Sequence, residues 1–187
     1  MTEQDNIKVA AWVDGCRKGS RIAQHKLFKF FYNSMCRLCM RYADSTDEAD
    51  DMLNEGFLKV FSNLDKYENT GSFESWMKRV MINAALDYRR KYAAKVQTVD
   101  LDIVQDADLP HYDENNAVSK LSSDEIVSLI QKLPLASRTV FNLYVFENYS
   151  HAEIAKQLNI SENTSAWHLN FARNRLKEEI YKLDNGK

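Results

Sequence analysis

The chain is poor in the residues that interrupt helices: 5 Gly and 2 Pro in 187 positions. It also shows no sustained alternation of apolar and polar residues, so an all-helical fold is expected rather than a sheet. No apolar run approaches the roughly 20 residues that span a bilayer, which excludes a membrane-inserted helix. The N-terminal stretch MTEQDNIKVAAWVDG is polar and acidic. No secretory signal is read there, and the expected compartment is the cytoplasm.

Cysteine is equally scarce. Cys16, Cys36 and Cys39 make an odd number, which argues against a disulfide framework. Cys36 and Cys39 have CxxC spacing, but a structural zinc site needs about four ligands and no second pair exists. They fall inside an apolar helical pattern and read as small core residues. His25, His111, His151 and His168 are scattered, and no metal site is expected. Gly-rich phosphate loops, HExxH and GxSxG are missing, so nothing supports an enzyme or a cofactor.

What is present is charge, unevenly placed. The net charge of −2 conceals 16 basic against 13 acidic residues in 1–95, 1 against 8 in 96–125, and 8 against 6 in 126–187. Two mildly basic blocks flank an acidic stretch, a pattern that directs attention to nucleic acid.

Helical periodicity follows the same division. After a short first helix near 5–18, Gly19-Ser20 breaks the chain. A stripe of Ala23, Leu27, Phe30, Phe31, Met35, Leu38 and Tyr42 then marks a second helix. Ser45 or Thr46 is positioned to cap a third, whose apolar face is Leu53, Phe57, Val60, Phe61 and Leu64. Ser72 opens a fourth, from Phe73 to about Tyr92, carrying Phe73, Trp76, Met77, Val80 and Ala84. Trp76 is expected in the core. Residues 95–121 are acidic, contain Pro110 and lack a helical period, and are read as a flexible linker.

Helical pattern resumes at Ser122, with Ile126, Leu129, Ile130 and Leu133, then Pro134 and a helix bearing Val140, Leu143 and Tyr144. Ser150 and Glu153 form a capping-box signature for the short segment HAEIAKQL. Asn159-Ile160 makes a turn, and Ser161 caps a last helix running towards Leu183. Ile154, Ala155, Leu158, Ile160, Thr164, Leu169, Ala172 and Leu176 are the expected buried positions. Short helix, tight turn and capped second helix form a helix-turn-helix pattern.

The basic residues Lys78, Arg79, Arg89, Arg90 and Lys91 are interleaved with Phe73, Trp76, Tyr88 and Tyr92. Cations suit phosphates, and ring faces hold unstacked bases. A solvated charged face over an aromatic core would give the same composition.

Two motif sets together resemble the extracytoplasmic-function (ECF) sigma factors of the sigma-70 family. The pattern D-A-E-D-(I/L)-x-Q-(E/D)-(T/A)-F-(L/I)-K-V-(W/F) is matched by residues 48–61, EADDMLNEGFLKVF. The pattern S-F-x-x-W-L-x-x-I-A-x-N, with a later D and R-R, is matched by Ser72, Phe73, Trp76, Met77, Val80, Asn83, Asp87, Arg89 and Arg90. In the second half Leu133-Pro134, Arg138 and Val140-Phe141 match the entry to domain 4, and Ser150 to Ser161 match its S-x-x-E-I-A-x-x-L-x-I-S. The resemblance covers nearly the whole chain.

The resemblance implies two small helical domains, domain 2 over 1–94 and a helix-turn-helix domain 4 over 122–187, joined by a linker over 95–121. It implies an initiation factor that binds core RNA polymerase, recognises promoter DNA and melts it. Asp51, Leu53, Asn54, Glu55 and Phe57 would dock onto the clamp coiled coil of the largest polymerase subunit, and domain 4 would meet the flap of the second-largest. Lys66, Phe73, Lys78, Arg79, Asn83, Arg89 and Arg90 would meet the −10 element, with a flipped base held in the loop from Lys66 to Phe73. Ser161, Asn163, Thr164, His168, Arg173 and Arg175 would meet the −35 element. An anti-sigma partner is a further implication.

The last helix departs from the family pattern. Asn163, Ala166, His168 and Phe171 stand where small, basic, polar or basic, and basic residues are usual. Trp167 and Phe171 raise a second possibility, a protein-binding surface. Two alternatives therefore stand beside initiation: an ordinary helix-turn-helix regulator, and a sigma-like protein acting mainly through protein contacts.

Overall fold

The computed structural model describes residues 2–68, 71–93 and 121–185. Every regular element in them is helical. The chain divides into two compact units, Met1–Thr98 and Val99–Lys187. The expected linker, apart from Leu121, lies outside the described residues.

The first unit contains α1 (Glu3–Arg17), α2 (Arg21–Tyr42), α3 (Thr46–Ser62), a single 3-10 turn (Leu64–Lys66) and α4 (Phe73–Ala93). Each start is set by a short polar side chain. Thr2 and Asp5 form a capping box on α1, Ser20 accepts from the Ala23 amide, and Ser45 accepts from the Glu48 amide. Gly19 supplies the positive φ of 77° that joins α1 to α2.

The apolar stripes then have one way to be buried, against each other. Leu27, Phe31, Met35 and Leu38 of α2 meet Met52, Leu53, Phe57 and Val60 of α3 and Met77, Met81 and Ile82 of α4, all withdrawn from water. Burial of each such side chain is worth about 1.5–3 kcal/mol. Helices α3 and α4 approach closely because residue 56 is glycine. A Cβ there would come within 2.5 Å of the Met81 sulfur. Cys39 is fully buried and its thiol is pushed up to about 12 by desolvation, and burial also raises Cys36. Cys39 is a core residue and Cys36 is half-buried beside it, and burial disfavours the thiolate of both. No cluster suited to a metal ion occurs among the described residues.

The second unit contains α5 (Ser123–Gln131), α6 (Leu135–Phe141) running into a wide π turn (Asn142–Phe146), α7 (His151–Leu158) and α8 (Glu162–Asn185). Capping boxes Ser122–Glu125 and Ser150–Glu153 open α5 and α7. Its core is Leu129, Ile130, Leu133, Val140, Leu143, Ile154, Leu169 and Ala172. Arg138 is also buried, and donates from Nη1 to the Gln131 carbonyl at 3.1 Å, at the negative end of α5.

Several expected core positions differ. Leu158, Ile160 and Leu176 are only half-buried, and Thr164 is exposed at the start of α8. In the first unit Trp76 is half-buried rather than enclosed. No described helix is long and apolar enough to cross a membrane.

Candidate nucleic-acid and polymerase interfaces

Helix α3 has two faces, and the motif 48–61 mixes residues of both. Leu53 is 2% exposed and Phe57 3%, with the Phe57 ring 4.4 Å from that of Phe28. Neither is presented to a partner, which corrects their place in the expected docking set. Asp51 and Asn54 face solvent, and Glu55 is half-exposed. Leu58 joins them at 68% exposure. The spacing 51, 54, 55, 58 is one helical face, so the sequence contained the signal for Leu58. The Tyr88 hydroxyl donates to Asp51 Oδ2 at 3.1 Å. Lys59 bridges Glu55 at 3.3 Å and Asp87 at 3.0 Å, tying this face to α4.

The second patch lies where the 3-10 turn meets α4. Lys66, Tyr67, Glu68, Gly71, Ser72, Ser75, Trp76 and Arg79 line a cavity of about 270 Å³. Arg17 organises one side by donating from Nη2 to the carbonyls of Leu64, at 3.2 Å, and of Tyr67. The Tyr67 ring lies 5.4 Å from Trp76 and 5.2 Å from Phe73. Phe73 itself is buried and supports the other two rings. Lys66 and Arg79 are exposed, and no carboxylate lies within ion-pair distance of either among the described residues. Ser75, Arg79 and Asn83 continue as an exposed row at four-residue steps along α4.

The other basic residues expected here are engaged. Lys78 pairs with Glu74 at 3.0 Å, and Arg90 with Asp87 at 3.4 Å. Arg89 is the clear correction. Its side chain is 13% exposed, with Nη1 2.8 Å from Asp44 and 2.9 Å from Glu48, and its Nε donates to the Tyr42 carbonyl at 2.8 Å. It locks the end of α4 onto the corner between α2 and α3.

The third patch is the helix-turn-helix. Asn159 ends α7 at φ 55°, ψ 49°, a left-handed turn that asparagine tolerates better than most residues. Ser161 Oγ accepts from the Thr164 amide at 3.0 Å and lies 2.8 Å from its hydroxyl. Ser161, Asn163, Thr164, Arg173 and Arg175 are exposed. Arg175 pairs with Glu178 at 2.9 Å, and the Arg173 guanidinium sits 5.7 Å from the centre of the Tyr144 ring.

His168 points elsewhere. Its Nδ1 is 2.9 Å from Ser137 Oγ on α6, and burial lowers its pKa. Its Nδ1 is thus occupied in packing α8 against α6, and desolvation favours the neutral ring. His151 makes a parallel link, Nδ1 to Ser165 Oγ at 2.9 Å, between α7 and α8. Asn170, overlooked in the sequence, is exposed two helical turns beyond Asn163. Trp167 and Phe171 are half-buried and stack at 5.4 Å. Beside these faces an apolar groove of about 670 Å³ runs between α5 and α8, bounded by Ile126, Ile130, Phe141, Phe146 and Ile180.

The described chain thus has one helical unit with an acidic face and a cavity beside two aromatic rings, and a second built on a helix-turn-helix. The family model Sigma-70 region 2 matches residues 27–95, and Sigma-70, region 4 matches 123–176. The ECF RNA polymerase sigma factor SigW of Bacillus subtilis is 27% identical, over 89% of this chain and 94% of its own. The ECF RNA polymerase sigma-E factor of Escherichia coli K12 is 23% identical, over 98% of each chain. The solved structure of CnrH in complex with the cytosolic domain of CnrY shares the fold, with a TM-score of 0.51 at 20% identity over 98% of this chain and 99% of that one. The chain belongs to the sigma-70 family, and within it to the ECF RNA polymerase sigma factors.

Proposed function

We propose that the first unit, as domain 2 over 1–94, docks on the clamp coiled coil of the polymerase largest subunit through Asp51, Asn54, Glu55 and Leu58. An acidic helix face with one protruding leucine suits a basic helical partner that carries an apolar notch. The same domain captures the −10 element, with one unstacked base in the cavity beside Tyr67 and Trp76. Lys66 and Arg79 meet its flanking phosphates, and Asn83 extends the path.

The second unit, as domain 4 over 122–187, lays the start of α8 in the major groove of the −35 element, with residues 95–121 as the tether. Asn163 and Thr164 offer hydrogen bonds to base edges, while Ser161 and Arg173 meet the backbone. The apolar groove beside α5 receives the flap of the second-largest subunit. Polymerase contributes catalysis, and this chain contributes address and melting without an enzymatic step of its own. It acts in the cytoplasm. An anti-sigma protein is the proposed regulator; the related solved structure contains a second, bound chain.

The observation that carries this reading is the cavity beside Tyr67 and Trp76, lined also by Lys66 and Arg79, which have no carboxylate within ion-pair distance among the described residues. The test is transcription by core polymerase on a promoter library, with wild type and Lys66→Ala/Arg79→Ala. Wild type is expected to yield sequence-selective transcripts, and the variant to bind polymerase normally but open promoters poorly. DNA binding without polymerase binding would leave a simple regulator. Polymerase binding without transcripts would leave a protein acting through protein contacts.

A further inference from the structure

Helix α2 contains no Asp or Glu in its 22 residues, while it carries Arg21, His25, Lys26, Lys29, Arg37 and Arg41. Its buried side is Leu27, Phe31, Met35 and Leu38. Diametrically opposite lie Ile22, Lys26, Lys29, Asn33 and Arg37, at steps of four, three, four and four residues, and all five are exposed. This is one straight stripe. From Lys26 to Arg37 it extends about 17 Å at the α-helical rise.

Many cations elsewhere on the chain are held by ion pairs. Lys59, Lys78, Arg89, Arg90, Arg175 and Lys182 all hold carboxylates. Among the described residues, no carboxylate lies within ion-pair distance of Arg21, Lys26, Lys29 or Arg37. Lys26 and Lys29 are neighbours one turn apart, so their like charges repel in the isolated protein. A partner that supplies a row of negative charges relieves that repulsion. Each strand of duplex DNA presents one charge per roughly 3.4 Å of helix axis, so a stripe about 17 Å long is long enough for its three cations to meet separate phosphates.

We infer that the outer face of α2 is a second, sequence-independent phosphate-contacting surface, with Lys26, Lys29 and Arg37 as its contacts. It is separate from the cavity beside Trp76, and it rests on the promoter-binding reading only for which DNA it meets. Contacts of this kind strengthen and orient a complex without reading bases. They also compensate for a last helix with few cations at its start.

The test measures binding of the full chain, without polymerase, to labelled duplex DNA of arbitrary sequence over a range of salt. Lys26→Gln/Lys29→Gln/Arg37→Gln is compared with a charge-matched control, Lys8→Gln/Lys132→Gln/Lys182→Gln. The control cations lie beside Asp5 and Glu179. The slope of log affinity against log salt should shrink by about 2–3 for the face variant, near 0.9 per lost contact, and by less than about 1 for the control. Equal changes in the two variants, or no change in either, overturn the inference. Tighter DNA binding by the face variant also overturns it, and assigns the face to the chain's own acidic stretch 96–125. Transcription with core polymerase is scored separately. Wild type without transcripts would sink the promoter reading while leaving the salt-slope result standing.

Discussion

Arg89 Nη1 lies 2.9 Å from Glu48 Oε1, joining residues 41 positions apart across two helices. Both side chains are largely withdrawn from water, at 13% and 17% exposure. With Asp44 and the Tyr42 carbonyl, this pair fixes the end of α4 against the start of α3. Arg89→Ala is therefore expected to destabilise the first unit by roughly 1.5–3 kcal/mol, the range for hydrogen bonds to charged groups. Thermal unfolding checks this. An unchanged transition accompanied by lost promoter binding would return Arg89 to the DNA surface.

Leu58 and Asp51 share an exposed face on α3, whereas Phe57 is core. Leu58→Asp and Asp51→Arg should each weaken core-polymerase affinity at least several-fold; Leu58→Asp should leave the melting transition in place, while Asp51→Arg also lowers it because the Tyr88 hydroxyl loses its acceptor. Phe57→Ala should do the reverse, costing about 3–5 kcal/mol of stability. Titration of fluorescent protein with polymerase, beside a melting curve, separates the outcomes. Normal polymerase affinity in both surface variants would remove this face from the docking assignment.

His168 is predicted to make the second unit acid-sensitive. Burial lowers its folded-state pKa below the ordinary value of 6.5. The unfolded chain then binds the proton more readily, so this contribution is complete above about pH 6.5 and is lost as pH falls through and below that value. Unfolding midpoints of wild type and His168→Gln, measured across that range, should converge on acidification. Parallel curves would show that His168 carries no such linkage.

Asn163 and Asn170 occupy one exposed side of α8 at the spacing of two turns. Asparagine reads adenine through paired hydrogen bonds, worth about 1–3 kcal/mol of discrimination. Asn163→Ala should relax base preference at one −35 position in a selection experiment with the full holoenzyme. Arg173→Ala should instead weaken binding evenly across sequences and lower its salt dependence. A selected −35 motif identical for wild type and Asn163→Ala would count against base reading by this residue.

The helix starts were legible because capping is local: Ser20, Ser45, Ser122, Ser150 and Ser161 each sit at the position where an orphan amide needs an acceptor. The division of α3 was partly legible, since the step from Asp51 to Leu58 is visible as spacing, but the motif alone does not separate Leu53 and Phe57 from the docking face. The role of Arg89 was not legible, because its acidic partners lie more than 40 residues earlier and only tertiary packing joins them. The contact of His168 with Ser137 was hidden for a related reason. Its helix position is evident, yet which side of α8 meets Ser137 depends on how α6 packs. The half-burial of Leu176 follows from an open groove in the second unit, which periodicity cannot reveal.

The wide turn at Asn142–Phe146 has its own consequence. The Glu147 amide reaches the Asn142 carbonyl at 3.3 Å, a span of five residues, and the Tyr149 amide reaches Leu143 at 3.0 Å. One extra residue is thus accommodated between α6 and α7. Removing a single residue from this turn would restore ordinary helical phase and turn the point where the chain leaves it by about 100° around the α6 axis. The aim of the DNA-facing helix is therefore encoded in chain length at this point, and a one-codon deletion here would misdirect it while every side chain beyond the turn stayed the same.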